Sequence, residues 1–592
     1  MGTLSTIYGA SFITRTDFLK TEVVHFDLVN NKDQFGGSSI EEFFGSIIDS
    51  SATQIYIHDL NYISGYILDW LTRNNIPVNE NKYINKKIIK DNRPLTYKMF
   101  RDDNGTVFYI KLFINNGRNL RTCEVRSSKL KTMKPLTDLY NSYELDIEHS
   151  FDLNDLSDFT IQLTSKPSKE DIDKCWFAAA TTFCIIKILK KEGYNKLTIG
   201  SDAMEHWNKF EWFSNQLRVN KHWQDMPELD KDMDYKLRFA YRGGFCWVNE
   251  DYQNEEVGFG RVFDVNSLYP AMMYYNELPC GMPILTDEIP EDEDTLWIAN
   301  IIIGEAVLRE DGIPCLSNMA STSYKDNKKD YRSSCSSIIK NEYLKEVEQF
   351  DCWITNYDWE LVQDNYKIAD GNYLVKEVYT FNKCSNWFKK FIEHYYNIKK
   401  LSSGAKRELA KLMLDSLYGR FGLKLDKKIT SAILKDDVLD FEDNQNCNNN
   451  TIRYLPIAIF ITSMGRYHMI NTAKAIGKDN IIYMDTDSIH YIGYDIPSVI
   501  LEDGIDKELG HWKIEREFIR AKYMGVKTYI EDYIEDGKVK TIVKMAGAPD
   551  SVKDNITWDN FKRGSVVPGM FYTKRIPGGF VRCECDYTIN QI

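Results

Sequence analysis

The sequence has no long apolar run. No stretch approaches the roughly eighteen uncharged residues that a membrane-spanning helix needs, and Met1 to Phe12 lacks the basic start and apolar core of a signal peptide. A zinc-binding set is also missing, because the 12 cysteines are scattered and the close pair Cys583 and Cys585 has no second pair or nearby histidine. We therefore expect reduced thiols, no membrane partner and a monomer in the cytoplasm.

The sequence also lacks an excess of positive charge. The formal net charge is −13, which argues against a nucleic-acid partner because phosphate binding needs Lys and Arg. The local distribution points the other way, since nine basic residues face three acidic ones between Lys399 and Lys428. An acidic chain of this kind can still contain a basic channel.

Strand-like and helix-like patterns alternate along the chain, whose 592 residues exceed what one hydrophobic core can hold. We expect a mixed α/β protein of several domains. Gln54 to Leu60 predicts a strand and Ile63 to Arg73 a helix, so the N-terminal third is expected to be a separate α/β unit. The polar stretches 318–336 and 436–451 predict surface loops.

Two carboxylates stand at the tip of a predicted hairpin. Residues 480–484 and 488–492 are strand-like, and Asp485-Thr486-Asp487 between them predicts a tight turn. Such a turn is also typical of a purely structural role, because Asp readily hydrogen-bonds to nearby backbone. A second strand-like run ends at Asp264. Asp264 and Asp487 could together hold two metal ions about 3.5–4 Å apart for phosphoryl transfer.

A polar helix face is predicted between these two carboxylate segments. Within residues 403–421, four side chains share one face at helical spacing: Arg407, Lys411, Asp415 and Tyr418. The apolar side chains Leu409, Leu412, Met413 and Leu417 fall largely on the other side. A solvated charged face is the plainer interpretation, and a binding surface for a triphosphate leaving group is the functional one.

Five motifs occur in the order found in one enzyme family. They are 241–244 (YRGG), 264–270 (DVNSLYP), 411–419 (KLMLDSLYG), 483–488 (YMDTDS) and 527–529 (KTY). With KMAG at 544–547 and PGG at 577–579, the chain resembles family B DNA polymerases, specifically the protein-primed polymerases of small bacteriophages with linear genomes. The resemblance extends over most of the chain.

The resemblance implies a role for each motif. Asp264, Val265 and Asp487 would hold two Mg²⁺ ions, which Mn²⁺ could replace, with Asp485 as a further catalytic carboxylate. The nucleotide would contact Tyr269, Lys399, Arg407, Lys411, Asp415 and Tyr418. Primer and template would contact Tyr241, Gly243, Gly244, Thr462, Arg466, Lys527 and Tyr529. The implied partners are DNA, deoxynucleoside triphosphates and a terminal protein that primes synthesis.

The fold implied by the family is a right-hand polymerase with palm, fingers and thumb, preceded by a ribonuclease-H-like 3'–5' exonuclease-type domain. The expected order is an exonuclease-like domain at 1–198, palm at 199–276, a terminal-protein insertion at 277–386, fingers at 387–422, a strand-displacement and processivity insertion at 423–454, palm at 455–540 and thumb at 541–592. Both insertions are inferred from the spacing of the motifs.

Two departures from the family pattern bear on function. Asp415 stands where the family has Asn, so we expect unusual nucleotide affinity or selectivity. The family's exonuclease metal ligands correspond to non-acidic positions here: Ser11, Ile13, Ile63 with Ser64, and Ala178 with Lys174. Neutral groups cannot offset two divalent cations, so we expect no nuclease activity. A shifted site built from Asp27, Asp59, Asp146 or Asp152 is the alternative.

The function expected from these features is template-directed DNA synthesis, primed by a protein hydroxyl at the end of a linear viral or plasmid genome. One alternative is specialised or untemplated synthesis in a defence or mobile element, suggested by Asp415 and the missing nuclease ligands. The other is a non-enzymatic DNA-binding scaffold, against which the intact polymerase carboxylates argue.

Overall fold

The structure is a computed structural model. It describes residues 6–14, 21–26, 35–37, 40–49, 52–79, 95–102, 105–115, 120–153, 169–211, 220–318, 343–423, 426–448, 454–577 and 579–589. In this part of the chain the strands form five sheets, and no helix is both long and apolar enough to cross a membrane.

The strands are numbered in chain order. They are β1 Thr6–Thr14, β2 Thr21–Phe26, β3 Phe35–Gly37, β4 Ala52–Ile57, β5 Leu95–Arg101, β6 Val107–Asn115, β7 Leu120–Ser127, β8 Cys246–Val248, β9 Glu256–Val257, β10 Gly260–Val265, β11 Leu278–Thr286, β12 Leu296–Leu308, β13 Glu346–Thr355, β14 Tyr366–Ile368, β15 Tyr373–Cys384, β16 Asp426–Lys435, β17 Val438–Asn448, β18 Ile481–Asp485, β19 Ser488–Ile492, β20 Trp512–Gly525, β21 Thr528–Glu535, β22 Lys538–Met545, β23 Val566–Ile576 and β24 Gly579–Thr588.

The α-helices are numbered in the same way. They are α1 Ile40–Asp49, α2 Leu60–Arg73, α3 Lys129–Thr132, α4 Leu136–Ser142, α5 Lys169–Lys191, α6 Ile199–Phe210, α7 Lys231–Leu237, α8 Leu268–Tyr275, α9 Asn356–Asn365, α10 Lys389–Leu401, α11 Gly404–Leu417, α12 Leu455–Ile476, α13 Ser498–Asp503 and α14 Asp550–Lys553. Short 3₁₀ helices cover Lys221–Asp225, Tyr418–Arg420 and Lys478–Asn480.

The N-terminal sheet has the strand order β3-β2-β1-β4-β7-β6-β5. β4 pairs in parallel with both β1 and β7, and the remaining pairs are antiparallel. Ile67, Leu68 and Leu71 of α2 are buried against the apolar side of this sheet, because they recur at helical spacing on one face. The strand and helix predicted within residues 54–73 are confirmed as β4 and α2.

The central sheet joins two distant segments of the chain. Its order is β22-β21-β20-β10-β19-β18-β8, with β9 paired to β20. The neighbouring strands are antiparallel, and α12 behind them is buried along almost its whole length. β22 ends at Met545, so the boundary expected between 540 and 541 falls inside a strand of this sheet.

A third sheet lies between the motifs at 264–270 and 411–419. Its order is β11-β15-β12-β13, with β14 paired to β12, and α9 packs against α12. The expected insertion at 277–386 therefore has a folded sheet of its own.

Residues 426–448 form a β-hairpin, which corrects the loop predicted at 436–451. β16 pairs with β17 up to Lys435 and Val438, and the two turn residues Asp436 and Asp437 have φ angles of 52° and 62°. This is the geometry of a two-residue hairpin turn, which Asp tolerates better than most residues. Leu439 is buried in the core beside α2, so tertiary packing overrides the polar composition of β17. The other predicted loop, 318–336, lies outside the described residues except for Asn318.

Candidate active site

The turn at Asp485-Thr486-Asp487 has the predicted geometry. Asp485 is paired with Ser488 across β18 and β19, and the backbone N–H of Asp487 donates to the carbonyl of Asp485 at 2.7 Å. Thr486 takes a φ of 61°, and its N–H donates to the carbonyl of Phe245 at 2.7 Å. The hairpin tip is therefore held by backbone hydrogen bonds.

Strand pairing brings Asp264 beside this turn. β10 lies next to β19, with Asp264 opposite Ser488. The N–H of Val265 donates to the carbonyl of Asp487 at 2.8 Å. Two carboxylates more than 200 positions apart in sequence are thus joined at one end of the central sheet.

Burial and mutual repulsion shape the electrostatics of this carboxylate pair. Burial raises the pKa of Asp264. Burial also raises the pKa of Asp487 to about 7, and the carboxylates of Asp264 and Asp415 add to that rise. Negative charge is therefore concentrated where little solvent screens it, a feature that is typical of functional sites.

Asp485 is in a different environment from the other two carboxylates. Lys527 Nζ lies 2.7 and 2.9 Å from its two oxygens, the hydroxyl of Tyr483 donates to it at 3.0 Å, and the thiol of Cys246 does so at 3.0 Å. Burial alone would raise the pKa of Asp485, but these hydrogen bonds outweigh burial and lower it.

The side chains at this site supply only some of the oxygen ligands that a hard divalent cation needs. Within the described ranges, no three His, Cys, Asp or Glu side chains converge as a complete metal site. Asp264 and Asp487 supply carboxylate oxygens, and Mg²⁺ normally completes its shell with water and substrate phosphates. The residues therefore fit a cation that binds together with substrate.

The predicted nucleotide residues line the same cleft. Lys399 Nζ donates to the hydroxyl of Ser267 at 2.7 Å, and burial lowers the pKa of Lys399 to about 8. The rings of Tyr269 and Tyr418 lie 4.5 Å apart between centroids. Gly244 packs closely against Thr486 and Tyr269. A Cβ at position 244 would come within 2.7 Å of Thr486 Cγ2 and 2.8 Å of the Tyr269 hydroxyl.

Helix α11 presents the expected two faces. Leu409, Met413 and Leu417 are buried in the largest apolar core, as predicted. Arg407 and Lys411 are exposed on the opposite side. Asp415 also faces the cleft, where desolvation raises its pKa and the positive charge of Lys411 opposes the rise.

Comparison with known proteins assigns the family. The model of DNA polymerase type B, organellar and viral, matches residues 183–503. The DNA polymerase of Bacillus phage phi29 is 32% identical over 609 aligned residues, which cover 98% of this chain and 99% of the relative. The chain belongs to the type B DNA polymerases.

Two further comparisons agree with this assignment. The DNA polymerase of Streptococcus phage Cp-1 is 32% identical over 416 residues, which cover 69% of each chain. The structure of phi29 DNA polymerase complexed with primer-template DNA and incoming nucleotide matches with a TM-score of 0.84 at 29% identity, covering 99% of this chain and 100% of that one. The polymerase fold and the enzyme class predicted from the sequence are confirmed.

Two residues expected at the DNA surface of the polymerase are instead interior. Thr462 is 1% exposed, and its hydroxyl donates to the carbonyls of Ala458 and Ile459 in its own helix. Arg466 is 4% exposed and is bound by the buried carboxylate of Asp358. Their geometry favours a structural role, because both side chains are buried and their polar groups bind other groups of the protein.

Arg466 nevertheless supports the predicted YRGG element. Its Nη1 donates to the carbonyls of Arg242 and Gly243 at 3.2 and 2.8 Å. The ring of Tyr241 lies against Gly422, where a Cβ would come within 2.4 Å of it. The YRGG segment thus extends from Tyr241, packed against Gly422, to Gly244 beside Thr486.

Lys527 and Tyr529 lie beside the Asp485-Thr486-Asp487 turn. The N–H of Lys527 donates to the hydroxyl of Tyr483 at 3.0 Å. Tyr529 is 7% exposed and packs against Tyr483, His490 and Tyr523 with centroid separations of 5.3 to 5.5 Å. The KTY motif and the carboxylate turn therefore share one packed aromatic cluster.

The expected exonuclease positions hold no acidic cluster in the described residues. Ser64 is buried in α2, and its hydroxyl donates to the carbonyl of Asn61 at 2.8 Å. Ala178 is half-buried on α5, and Lys174 on the same helix pairs with Glu170 at 2.8 Å. Ser11 and Ile13 belong to β1, but their side chains lie outside the described part.

Among the described residues, the candidates for a shifted exonuclease site do not form an acidic cluster. Asp59 caps α2 through the N–H of Tyr62 at 3.5 Å, whereas Asp146 and Asp152 are exposed on the segment before α5. Asp27 lies outside the described residues.

Two contacts in the site could not be predicted from the sequence. Lys513 forms an ion pair with Asp264 at 2.7 Å, and Cys246 donates to Asp485. Both depend on which strands are neighbours. Tyr483 could have been anticipated, because it lies two positions before Asp485 on the same strand and so faces the same side of the sheet.

Proposed function

We propose that this polymerase transfers nucleotides at a two-cation centre held by Asp264 and Asp487. The observation that carries the proposal is the 2.8 Å hydrogen bond from Val265 N to the carbonyl of Asp487, because it joins the two carboxylate segments. Bound Mg²⁺, or Mn²⁺ in its place, would stabilise charge during displacement at the nucleotide's α-phosphate. Val265 would contribute its backbone beside the two carboxylates.

The remaining cleft residues would bind and orient the nucleotide. Lys399, Arg407 and Lys411 would supply positive charge for the triphosphate, whose β- and γ-phosphates leave as pyrophosphate when the α-phosphate is joined to the primer. Tyr269 and Tyr418 form an aromatic wall against which the sugar and base would pack. Asp415 adds a negative charge to this pocket, and we propose that it tunes nucleotide affinity.

Lys527 and Tyr529 would position the primer end, while Tyr241, Gly243 and Gly244 border the template side. Lys527 is fixed by Asp485, so the third carboxylate would orient a DNA-contacting lysine. The matched phi29 polymerase structures contain primer-template DNA, incoming nucleotides or single-stranded DNA, and we propose the same ligand classes for this chain.

Extension of a labelled primer with Mg²⁺ tests template-directed synthesis. Products should follow the template sequence and vanish when the template is omitted. Equal synthesis without template would favour the alternative of untemplated activity in a defence or mobile element. Absence of any metal-dependent synthesis would favour the DNA-binding scaffold.

We further propose that a terminal protein primes synthesis, in the host cytoplasm, on a linear genome. The support is the folded insertion of β11–β15 between the motifs at 264–270 and 411–419 and the similarity to phage polymerases. The test is covalent labelling of a small neighbouring protein by a radioactive nucleotide in the presence of the polymerase. Labelling only of free DNA ends would contradict protein priming.

The hairpin of β16 and β17 links the N-terminal domain to the C-terminal strands. Arg73 of α2 contacts Asp437 at 2.5 Å, and Arg575 of β23 contacts Asp440 at 2.6 Å. Phe441 lies between two cations, 4.4 Å from the Arg101 guanidinium and 5.2 Å from that of Arg575. We propose that this bridge retains DNA during processive synthesis.

Phe441→Ala should therefore shorten the products made in one binding event. Two exposed cation–π contacts of about 0.5–1 kcal/mol each would be lost, so we expect roughly tenfold shorter products. The measurement is primer extension with a trap that captures released enzyme. Glu442→Ala, at the exposed neighbouring position, serves as the control. Unchanged product lengths in Phe441→Ala would contradict the bridge.

The N-terminal domain is predicted to have no nuclease activity. A 3'-labelled single strand, incubated with Mg²⁺ and without nucleotides, should keep its label because the expected ligand positions are not acidic. Degradation that persists through purification and in Asp487→Asn would reveal a shifted nuclease site and would overturn this prediction.

A further inference from the structure

Lys513 lies at the catalytic carboxylates without having a place in any of the motifs. Strand register explains its position, because β10 and β20 pair with Asp264 directly opposite Lys513. Residues that are opposite in an antiparallel pair project on the same face. The result is an ion pair of 2.7 Å between Lys513 Nζ and Asp264 Oδ1.

The importance of this ion pair follows from the other charged side chains near Asp264 and Asp487. Asp485 has its own lysine, Lys527, whereas no ion pair to Asp487 occurs among the residues that the structure describes. Among the described residues, Lys513 is thus the cation that forms an ion pair with this carboxylate pair, through Asp264 alone. Its charge also opposes the rise in the pKa of Asp487 and of Asp415.

The ammonium group of Lys513 and a divalent cation would compete for the negative charge of the same Asp264 carboxylate, because two cations close to one carboxylate repel each other. The Lys513 side chain is 45% exposed, and its four-carbon stem is flexible. It can therefore leave Asp264 for solvent without disturbing β20.

We propose that Lys513 is a tethered counterion, which holds Asp264 in the metal-free polymerase and is displaced when a divalent cation binds. The lysine keeps the two carboxylates close together despite their mutual repulsion. The same contact weakens cation binding until DNA and nucleotide supply further oxygens. Lys513 is a positioning residue in this scheme, and the inference rests on the proposed cation centre.

Mn²⁺ binding to the metal-stripped full chain, followed by electron paramagnetic resonance without DNA or nucleotide, tests the inference. Lys513→Met should bind Mn²⁺ roughly fivefold more tightly than the unchanged protein, because a partly exposed ion pair no longer competes. Lys513→Arg should bind as the unchanged protein does. So should Lys507→Met, which removes the same charge from an exposed position outside the site.

A second measurement separates this role from triphosphate binding. In primer extension, Lys513→Met should reach half-maximal rate at a lower Mg²⁺ concentration, with an unchanged KM for nucleotide at saturating metal. Equal or weaker Mn²⁺ binding in Lys513→Met would overturn the counterion role, as would a raised KM with unaltered Mn²⁺ affinity.

A separate variant tests the centre on which the inference rests. Asp264→Asn combined with Asp487→Asn should lose the Mn²⁺ site that the unchanged protein has. If the double variant binds Mn²⁺ as well as the unchanged protein, the proposed centre has failed, and the counterion role fails with it. If the double variant loses Mn²⁺ but Lys513→Met gains nothing, only the counterion role has failed.

Discussion

Asp487→Asn is expected to reduce primer extension at saturating Mg²⁺ by at least about a thousandfold, because one cation ligand worth several kcal/mol in the transition state is lost. The amide keeps the size of the side chain but removes the charge that would hold the cation. Extension is measured on a primer-template in single-turnover conditions. Asp479→Asn, an exposed change just before β18, is the matched control.

Folding can be separated from catalysis in this variant. Because the pKa of Asp487 is raised to about 7 in the folded chain, its charge opposes folding once the pH exceeds the ordinary value of about 4. The metal-free variant should therefore unfold at the same or a higher temperature than the unchanged protein at pH 8. Undiminished extension in Asp487→Asn would sink the assignment of the centre, whereas a lower unfolding temperature would sink the electrostatic description.

The turn at Asp485-Thr486-Asp487 was predictable because the sequence pattern that specifies it is local. Two strand-like runs separated by Asp485-Thr486-Asp487 define a hairpin, and strand alternation then fixes which side chains share a face. Helix α11 was predictable for the same reason, since its apolar residues repeat at helical spacing. The ordered motifs placed Asp264 in the same site, and β10 pairs with β19 as that requires.

The parts that escaped prediction depend on contacts between distant segments. Lys513 reaches Asp264 only because β20 pairs with β10 in one register. The family resemblance implies that Thr462 and Arg466 contact DNA, yet both are buried in α12. The polar strand β17 exists because Leu439 is buried against another domain. Local sequence patterns carry no information about these contacts between distant segments.

Asp358 is the centre of a buried ionic cluster that joins three parts of the chain. Its carboxylate accepts hydrogen bonds from Arg466 at 2.7 and 2.9 Å and from Ser463 at 3.0 Å. Arg242 Nη2 lies 2.9 Å from it. The insertion, helix α12 and the YRGG segment therefore meet on one carboxylate.

The charge state of this cluster is fixed over a wide pH range. Burial alone would raise the pKa of Asp358, but Arg242 and Arg466 outweigh burial and hold the pKa far below its ordinary value. A depressed carboxyl pKa stabilises the folded chain at every pH above the unfolded value of about 4. That contribution is lost only as the pH falls further towards the folded pKa.

Asp358→Ala should therefore destabilise the folded polymerase by about 3–5 kcal/mol, because two buried guanidinium groups lose their shared counterion. The free energy of unfolding is measured by denaturant titration at pH 7, with Asp364→Ala on the exposed side of α9 as the control. Activity should fall as well, since Arg466 no longer fixes the carbonyls that position Gly244 beside Thr486. A stability loss no greater than that of the control would mean that the cluster is solvated, and its role in shaping the cleft would have to be abandoned.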